Sequence, residues 1–244
     1  MTPRILFVHN HRSSFVEIDL NLLRELCPTE ELFLRRPYFN PAEIMRRVRH
    51  ATLVFGWFAS WHTFLPVLFA RLLRKPSVLV VGGYDVARIP EIGYGHQRLG
   101  VMRLVSRATM KSASVLMTNS FYSQREAEAN AGVPSSRIAV VYHGVPDPFG
   151  SIPMENRLPL VLTVGNVDMP NLHRKGMEPF VRSASLLGEF QFQVIGAWKD
   201  RAADRLRSLA GPNVVLTGWL SGEELVGMYR KASVYVQASQ HEGF

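Results

Sequence analysis

The chain has 244 residues, 47% of them hydrophobic and 20% charged, which supplies apolar mass for one large domain or two ordinary ones and excludes a disordered chain. A single cysteine, Cys27, excludes an internal disulfide framework and a cysteine-based metal site; it reads as a small apolar residue of a reducing, cytoplasmic protein. The net charge of +8 is concentrated in residues 1–150, where it reads either as solvated helix faces or as attraction to an anionic ligand or membrane surface; no nucleic-acid motif accompanies it.

In chain order, strand-like and helix-like segments alternate. Residues 4–9 form a short apolar run suited to a buried parallel strand, and 17–26 have helical spacing with Ile18, Leu22, Leu23 and Leu26 on one stripe. Residues 31–35 suit a second strand, Asn40-Pro41 opens a helix, and 53–56 suit a third strand. The stretch 53–73 is apolar over a membrane-spanning length, but Trp61-His62-Thr63 and Pro66 interrupt it, so strand, loop and helix are expected instead. Trp57, Phe58 and Trp61 are read as core, with lipid contact as the alternative. Residues 77–81 form a strand ended by Gly82-Gly83, 100–111 a helix and 115–118 a strand. Ser123-Gln-Arg-Glu126 has capping-box spacing for a helix closing at Gly132, and 138–142 form a sixth strand.

Prolines and glycine crowd residues 146–153, which predicts a linker over 151–157 between domains at 1–150 and 158–244. The alternation then restarts: strands over 160–164, 191–195, 214–217 and 234–236, with helices over 176–187 and 201–209 and one capped by Ser221-Gly-Glu-Glu224. The run 232–239 reads as a buried strand. Repeated strand–helix alternation predicts an α/β fold of two Rossmann-like, doubly wound parallel-sheet domains, the second incomplete. Ligands of such sheets bind beyond the carboxyl ends of the strands, which points to the loops at 9–14, 82–85, 143–144, 165–175, 196, 218 and 239–244.

In "LPLVLTVGNVDMPNLHRKGMEPFVRSA" a strand ends at Gly165 and a helix is expected from Gly176, which puts Arg174 and Lys175 at its N-terminus as an anion site. Glu242 and Gly243 follow the last strand on the same sheet edge; the carboxylate suits sugar hydroxyls, and the N–H groups of Gly243 and Phe244 suit a phosphate.

The order Val-Gly, Arg-Lys-Gly, Val-Ile-Gly, Leu-Thr-Gly-Trp-Leu and Ser-Gln-His-Glu-Gly-Phe across 158–244 resembles the donor-binding domain of family-4 retaining glycosyltransferases with the GT-B fold (glycosyl transferases group 1). Residues 1–150 resemble the matching acceptor-side domain through "VLVVGGYDVARIP" and "VLMTNSFYSQREAEANAGVPSSRIAVVYHGVPDPF". The resemblance implies transfer of a hexose from a UDP- or GDP-linked sugar to a glycan or lipid-phosphate acceptor, without metal or other cofactor, in the cytoplasm or at the inner membrane face. It implies a diphosphate grip by Lys175 and Arg174, a donor-sugar hydrogen bond from Glu242, a part for Asp85, and donor contacts at Gly165, Asn166, Gly196, Leu220, Gly243 and Phe244.

Two departures stand out. Asn166 replaces the arginine usual after the first glycine, and Gly82-Gly83 replaces the usual His-Gly, leaving His11 and His143 as other candidates. The second glutamate of the family's Glu-x7-Glu motif would lie past Phe244, so a fragment is expected. The alternatives are an inactive nucleotide-sugar-binding module and a GT-B sugar-nucleotide epimerase.

Overall fold

The computed structural model describes residues 2–35, 39–144 and 157–243. These residues divide into two units, those up to Gly144 together with Gly243, and those from Arg157 to Glu242. The expected linker at 151–157 falls, except for Arg157, outside the described residues.

The first unit alternates β1 (Ile5–His9), α1 (Ser14–Leu26), β2 (Thr29–Phe33), α2 (Pro41–His50), β3 (Leu53–Trp57), α3 (Trp61–Leu72), β4 (Ser77–Val81), α4 (Val101–Ser112), β5 (Val115–Thr118), α5 (Phe121–Ala131) and β6 (Ile138–Val140). Its strands form a parallel sheet in the order β2-β1-β3-β4-β5-β6, with the direction of winding reversing between β1 and β3. Helices cover both faces, so β1 is buried throughout and reads as an unbroken apolar run. Its residues alternate between cores: Ile5 and Phe7 pack with Val16, Leu20 and Trp57, while Leu6 and Val8 pack with Ile44, Val48 and Val54. Each such buried side chain contributes about 1.5–3 kcal/mol.

Local chemistry sets the helix ends. The Asn40 side chain accepts from the N–H groups of Ala42 and Glu43, and Pro41 fills the first turn. At the other end, Lys75 donates to the carbonyls of Val48, Arg49 and Ala51. The basic face of α2 is internally paired. Arg46 and Arg47 both bond Glu43, Arg46 first among them in holding that carboxyl down to about 2.

Several expectations change here. On α1 the buried stripe is Val16 and Leu20, with Leu23 partly buried, whereas Leu22 and Leu26 are 51% and 74% exposed. The helix begins at Ser14, so Val16, Leu20 and Leu23 hold the inward spacing. The cap of α5 is Ser120, whose side chain accepts from Ser123 N–H; Ser123 lies inside the first turn, so no box spans 123–126. Trp57 is 2% exposed and Phe58 and Trp61 are partly buried, which is the core reading. No helix among the described residues is long and apolar enough to cross a membrane.

The second unit runs β7 (Leu158–Val164), α6 (Met169–Arg174), α7 (Met177–Ser183), β8 (Gln191–Ile195), α8 (Ala202–Leu209), β9 (Val214–Gly218), α9 (Gly222–Lys231) and β10 (Ala232–Tyr235). Among the described residues its sheet has four parallel strands in the order β10-β7-β8-β9, winding outward from β7 and then returning to its other side. Val161, Phe180, Phe192, Val194 and Leu206 share its core, with the Phe180 and Phe192 rings 5.2 Å apart. The Ser221–Glu224 capping box forms as expected. The buried reading of 232–239 does not hold. Among the described residues β10 pairs with β7 alone, with Ala232 buried and Val234 and Tyr235 exposed.

Asp85 locks the first unit behind β4. Its side chain is 1% exposed; Oδ2 accepts from Ala59 N–H at 2.9 Å and Oδ1 from Gly82 N–H at 3.1 Å. Its own carbonyl accepts from Gln97 and Ser106. Burial pushes the carboxyl up to about 6, against the pull of the backbone donors. A folded-state value above the unfolded 3.8 means that folding takes up a proton between the two. The stability this proton carries is complete below about pH 4 and lost as the pH rises through 6. The stability advantage of wild type over Asp85→Asn should therefore shrink by about 2 kcal/mol between pH 4 and pH 7 in urea melts. A gap independent of pH would contradict this account.

Candidate functional site

The second sheet reverses its winding between β7 and β10, and the loops leaving these two strands carry the candidate residues. The loop after β7 folds into α6 before α7 begins. Asp168 caps α6, its side chain accepting from Asn171 N–H at 2.9 Å. Arg174 ends α6 and Lys175 is its C-cap, and the next residue, Gly176, is the N-cap of α7, so the pair stands just before a helix N-terminus as expected, with a short helix in front of it that was not. The C-terminus of α6 favours these cations and the N-terminus of α7 opposes them.

The Lys175-Gly176 sequence has a steric cause. Gly176 adopts φ +65°, and a Cβ there would lie 2.3 Å from the Ala238 carbonyl oxygen on the incoming β10 loop. Gly165 gives room in the same way: a Cβ would stand 2.7 Å from Cδ of Lys175, and its own carbonyl lies 1.9 Å from where a Cβ of Gly196 would be. Gly165, Lys175 and Gly196 are thereby packed against one another where β7 and β8 end.

Glu242 closes the cluster. Its Oε1 accepts from Lys175 Nζ at 3.1 Å, Arg174 Nη1 at 3.3 Å, Ser239 Oγ at 2.8 Å and Gln237 Nε2 at 2.8 Å. Arg174 is oriented from behind, with Nε and Nη2 on Asn171 Oδ1 at 3.2 and 2.8 Å and Nη1 also reaching the His241 carbonyl. The side chains of Arg174 and Lys175 are 14% and 19% exposed, that of Glu242 34%. Burial works to raise the Glu242 carboxyl, but the Ser239 hydroxyl and the two cations outweigh it and hold the group below its usual range. Two cations and a partly exposed carboxylate converging on one point can exchange the carboxylate for a stronger anion.

The other expected residues are dispersed. Asn166 is exposed, its carbonyl accepting from Asn171 Nδ2 at 3.0 Å. The Leu220 side chain packs against the core of Leu160, Leu162 and Ile195. Gly243 groups with the first unit, and Phe244 lies outside the described residues. Asp85 holds backbone in the first unit, with no oxygen spared from its two N–H donors. His11 is exposed and contributes a carbonyl to His9 Nδ1. His143 stacks on Phe15 and Trp57, and burial lowers its basicity. Ser239, Gln237 and Asn171 are the partners the sequence reading missed. The spacing of Asn171 and Arg174 on one helix turn was their available signal.

The profile described as glycosyl transferases group 1 matches residues 158–244. No curated protein matches the sequence. Among solved structures, Anabaena HepE in complex with UDP and glucose superposes with a TM-score of 0.67 at 13% identity, covering 99% of this chain and 75% of that one. The lipopolysaccharide outer core galactosyltransferase WaaB, in its apo form, gives 0.64 at 15% identity over 99% and 75%. The UDP-GlcNAc 2-epimerase of Neisseria meningitidis bound to UDP-GlcNAc gives 0.59 at 12% identity over 97% and 78%. At these identities the likeness is one of fold. The match to the glycosyl transferases group 1 model is thus confined to residues 158–244, on a chain with the two Rossmann-like domains of the GT-B fold.

Proposed function

We propose that this protein moves a hexose from a nucleotide-diphospho-sugar to a hydroxyl of a glycan or lipid-linked acceptor, with retention at the anomeric carbon. The observation that carries the reading is the convergence of Arg174 and Lys175 on one carboxylate oxygen at the winding reversal of the second sheet. In the proposed complex the donor diphosphate takes the place of the Glu242 carboxylate between the cations. Glu242, displaced, is left to accept from sugar hydroxyls.

The reaction breaks the bond between the anomeric carbon and the β-phosphate oxygen. The acceptor oxygen bonds the same carbon from the same face, and its proton passes to the departing phosphate. Charge grows on that phosphate in the transition state. Arg174 and Lys175 stabilise it from fixed positions, since Asn171 already holds the guanidinium and the packing of Gly165 against Lys175 steers the lysine stem. No step in this scheme calls for a metal or other cofactor. The proposed setting is cytoplasmic, with the basic first unit able to meet an anionic membrane face.

The epimerase likeness favours a second reading, epimerisation of the sugar nucleotide, which the group 1 match over 158–244 disfavours. Product analysis separates the two. Binding without turnover, the third reading, shows as a calorimetric signal with no nucleotide release.

With a panel of UDP- and GDP-sugars, Lys175→Ala should lower the rate of nucleotide release by about 10- to 100-fold, the loss of one charge-assisted hydrogen bond. Undiminished release would sink the assignment. Glu242→Gln should split the two readouts: free UDP or GDP binds several-fold more tightly, because the cations lose their competing charge, while sugar transfer falls. Weaker nucleotide binding by this variant would show that Glu242 does not compete for the cations.

A further inference from the structure

The positive charge of the chain is not spread evenly. Between Trp61 and Ser112, the stretch that holds α3 and α4, eight lysines and arginines stand against two acids, Asp85 and Glu91, a balance of +6 out of the chain's +8. Asp85 is buried and spent on backbone N–H groups, so Glu91 is the one exposed acid of the stretch. On α2 the arginines are neutralised by Glu30 and Glu43. Here the cations turn to carbonyls instead: Lys75 to that of Val48, Arg71 to that of Lys111, Arg107 to that of Asn130. Burial lowers the basicity of Arg107, and the charges of Arg103 and Arg88 beside it lower it further.

The same two helices turn apolar side chains outward. They pack side by side, because β3, β4 and β5 are adjacent in the sheet and their crossovers share one hand. Arg71 Nη1 lies 3.3 Å from the Lys111 carbonyl and ties their C-terminal ends together. α4 is inverted for a surface helix. It buries Ser106 and Thr109, and leaves Val101 and Leu104 73% and 69% exposed. Leu99, just before it, is 82% exposed, and Leu72 on α3 65%. Neither helix carries an acid or an amide side chain.

Exposed leucine and valine beside unneutralised cations suit a surface that is anionic at one depth and hydrocarbon at the next. Arginine and lysine stems lie along apolar surface while their heads reach phosphates, and the leucines enter the acyl boundary. A second copy of this chain would bring the same positive charge against the face. A folded acidic partner would answer the charge, yet Leu72, Leu99, Val101 and Leu104 are aliphatic, without the tryptophan and tyrosine anchors of protein interfaces.

We propose that the outer face of α3 and α4 lies on an anionic lipid bilayer, with Leu99, Val101 and Leu104 in the headgroup boundary and Arg71, Arg88 and Lys111 on lipid phosphates. This gives the membrane setting proposed above a specific face. Its test is separate from the transfer reading, because plain vesicles contain neither sugar nucleotide nor sugar acceptor.

The experiment is co-sedimentation of the whole chain with phosphatidylcholine vesicles, pure or with about 30% phosphatidylglycerol, at about 0.1 M salt. Partition onto the anionic vesicles should be stronger by about 10-fold or more. The Leu99→Gln, Leu104→Gln double variant and the Arg88→Gln, Lys111→Gln double variant should each weaken it by about 10-fold. All four positions are exposed, so an unchanged far-UV spectrum is expected of both. Lys199→Gln, Lys231→Gln, which removes the same charge from the second unit, should cost less than about 2-fold. No binding to anionic vesicles, equal binding to neutral ones, or a leucine variant that binds like wild type would overturn the proposal. Capture by polyglutamate without binding to vesicles would give the face to an acidic polymer and overturn it as well.

Discussion

Parallel pairing of β10 with β7 is the constraint on which the candidate site depends. It places the loop that carries Glu242 against the loop that carries Arg174 and Lys175, across 67 and 68 residues of sequence. Backbone contacts fix the meeting as firmly as the charges do: Gln240 N–H donates to the Arg174 carbonyl at 2.8 Å, and Gly176 admits Ala238 where any side chain would collide. The ion cluster is thus held by a sheet edge rather than by long side chains finding each other. Little entropy remains to be lost when an anion arrives.

The charge balance of the cluster follows from this geometry. Four donors share one oxygen of Glu242, so the carboxylate is overcommitted and partly exposed while the cations are mostly covered. A diphosphate offers more oxygens and more charge to the same donors. A cavity in the first unit shows the opposite chemistry. It holds a His62 imidazole that burial keeps uncharged and a carboxylate spent on backbone N–H groups.

Much of this was legible in the sequence because it rests on local rules. Alternating apolar strands and capped helices announced the two parallel sheets, and Asn40-Pro41 and Ser221–Glu224 cap their helices as their spacing predicts. The Arg174–Lys175–Glu242 set was visible through strand ends and the family resemblance. What escaped depended on which side of an element faces the core. The α1 stripe was set two positions too far along because Leu22 and Leu26 are as apolar as Val16 and Leu20, and only packing distinguishes them. The extra turn at Met169–Arg174 hid behind Pro170, which a first helical turn tolerates but a sequence reading takes for loop.

The central claim is that Arg174 and Lys175 form a seat for a diphosphate, occupied by Glu242 until one arrives. The direct measurement is the affinity of UDP set against that of uridine, in wild type and in the Arg174→Ala, Lys175→Ala double variant, by calorimetry at fixed salt. The account predicts that wild type prefers UDP by about 100-fold or more and that the double variant loses most of this preference while its uridine affinity holds. A preference for UDP that survives loss of both cations would contradict it.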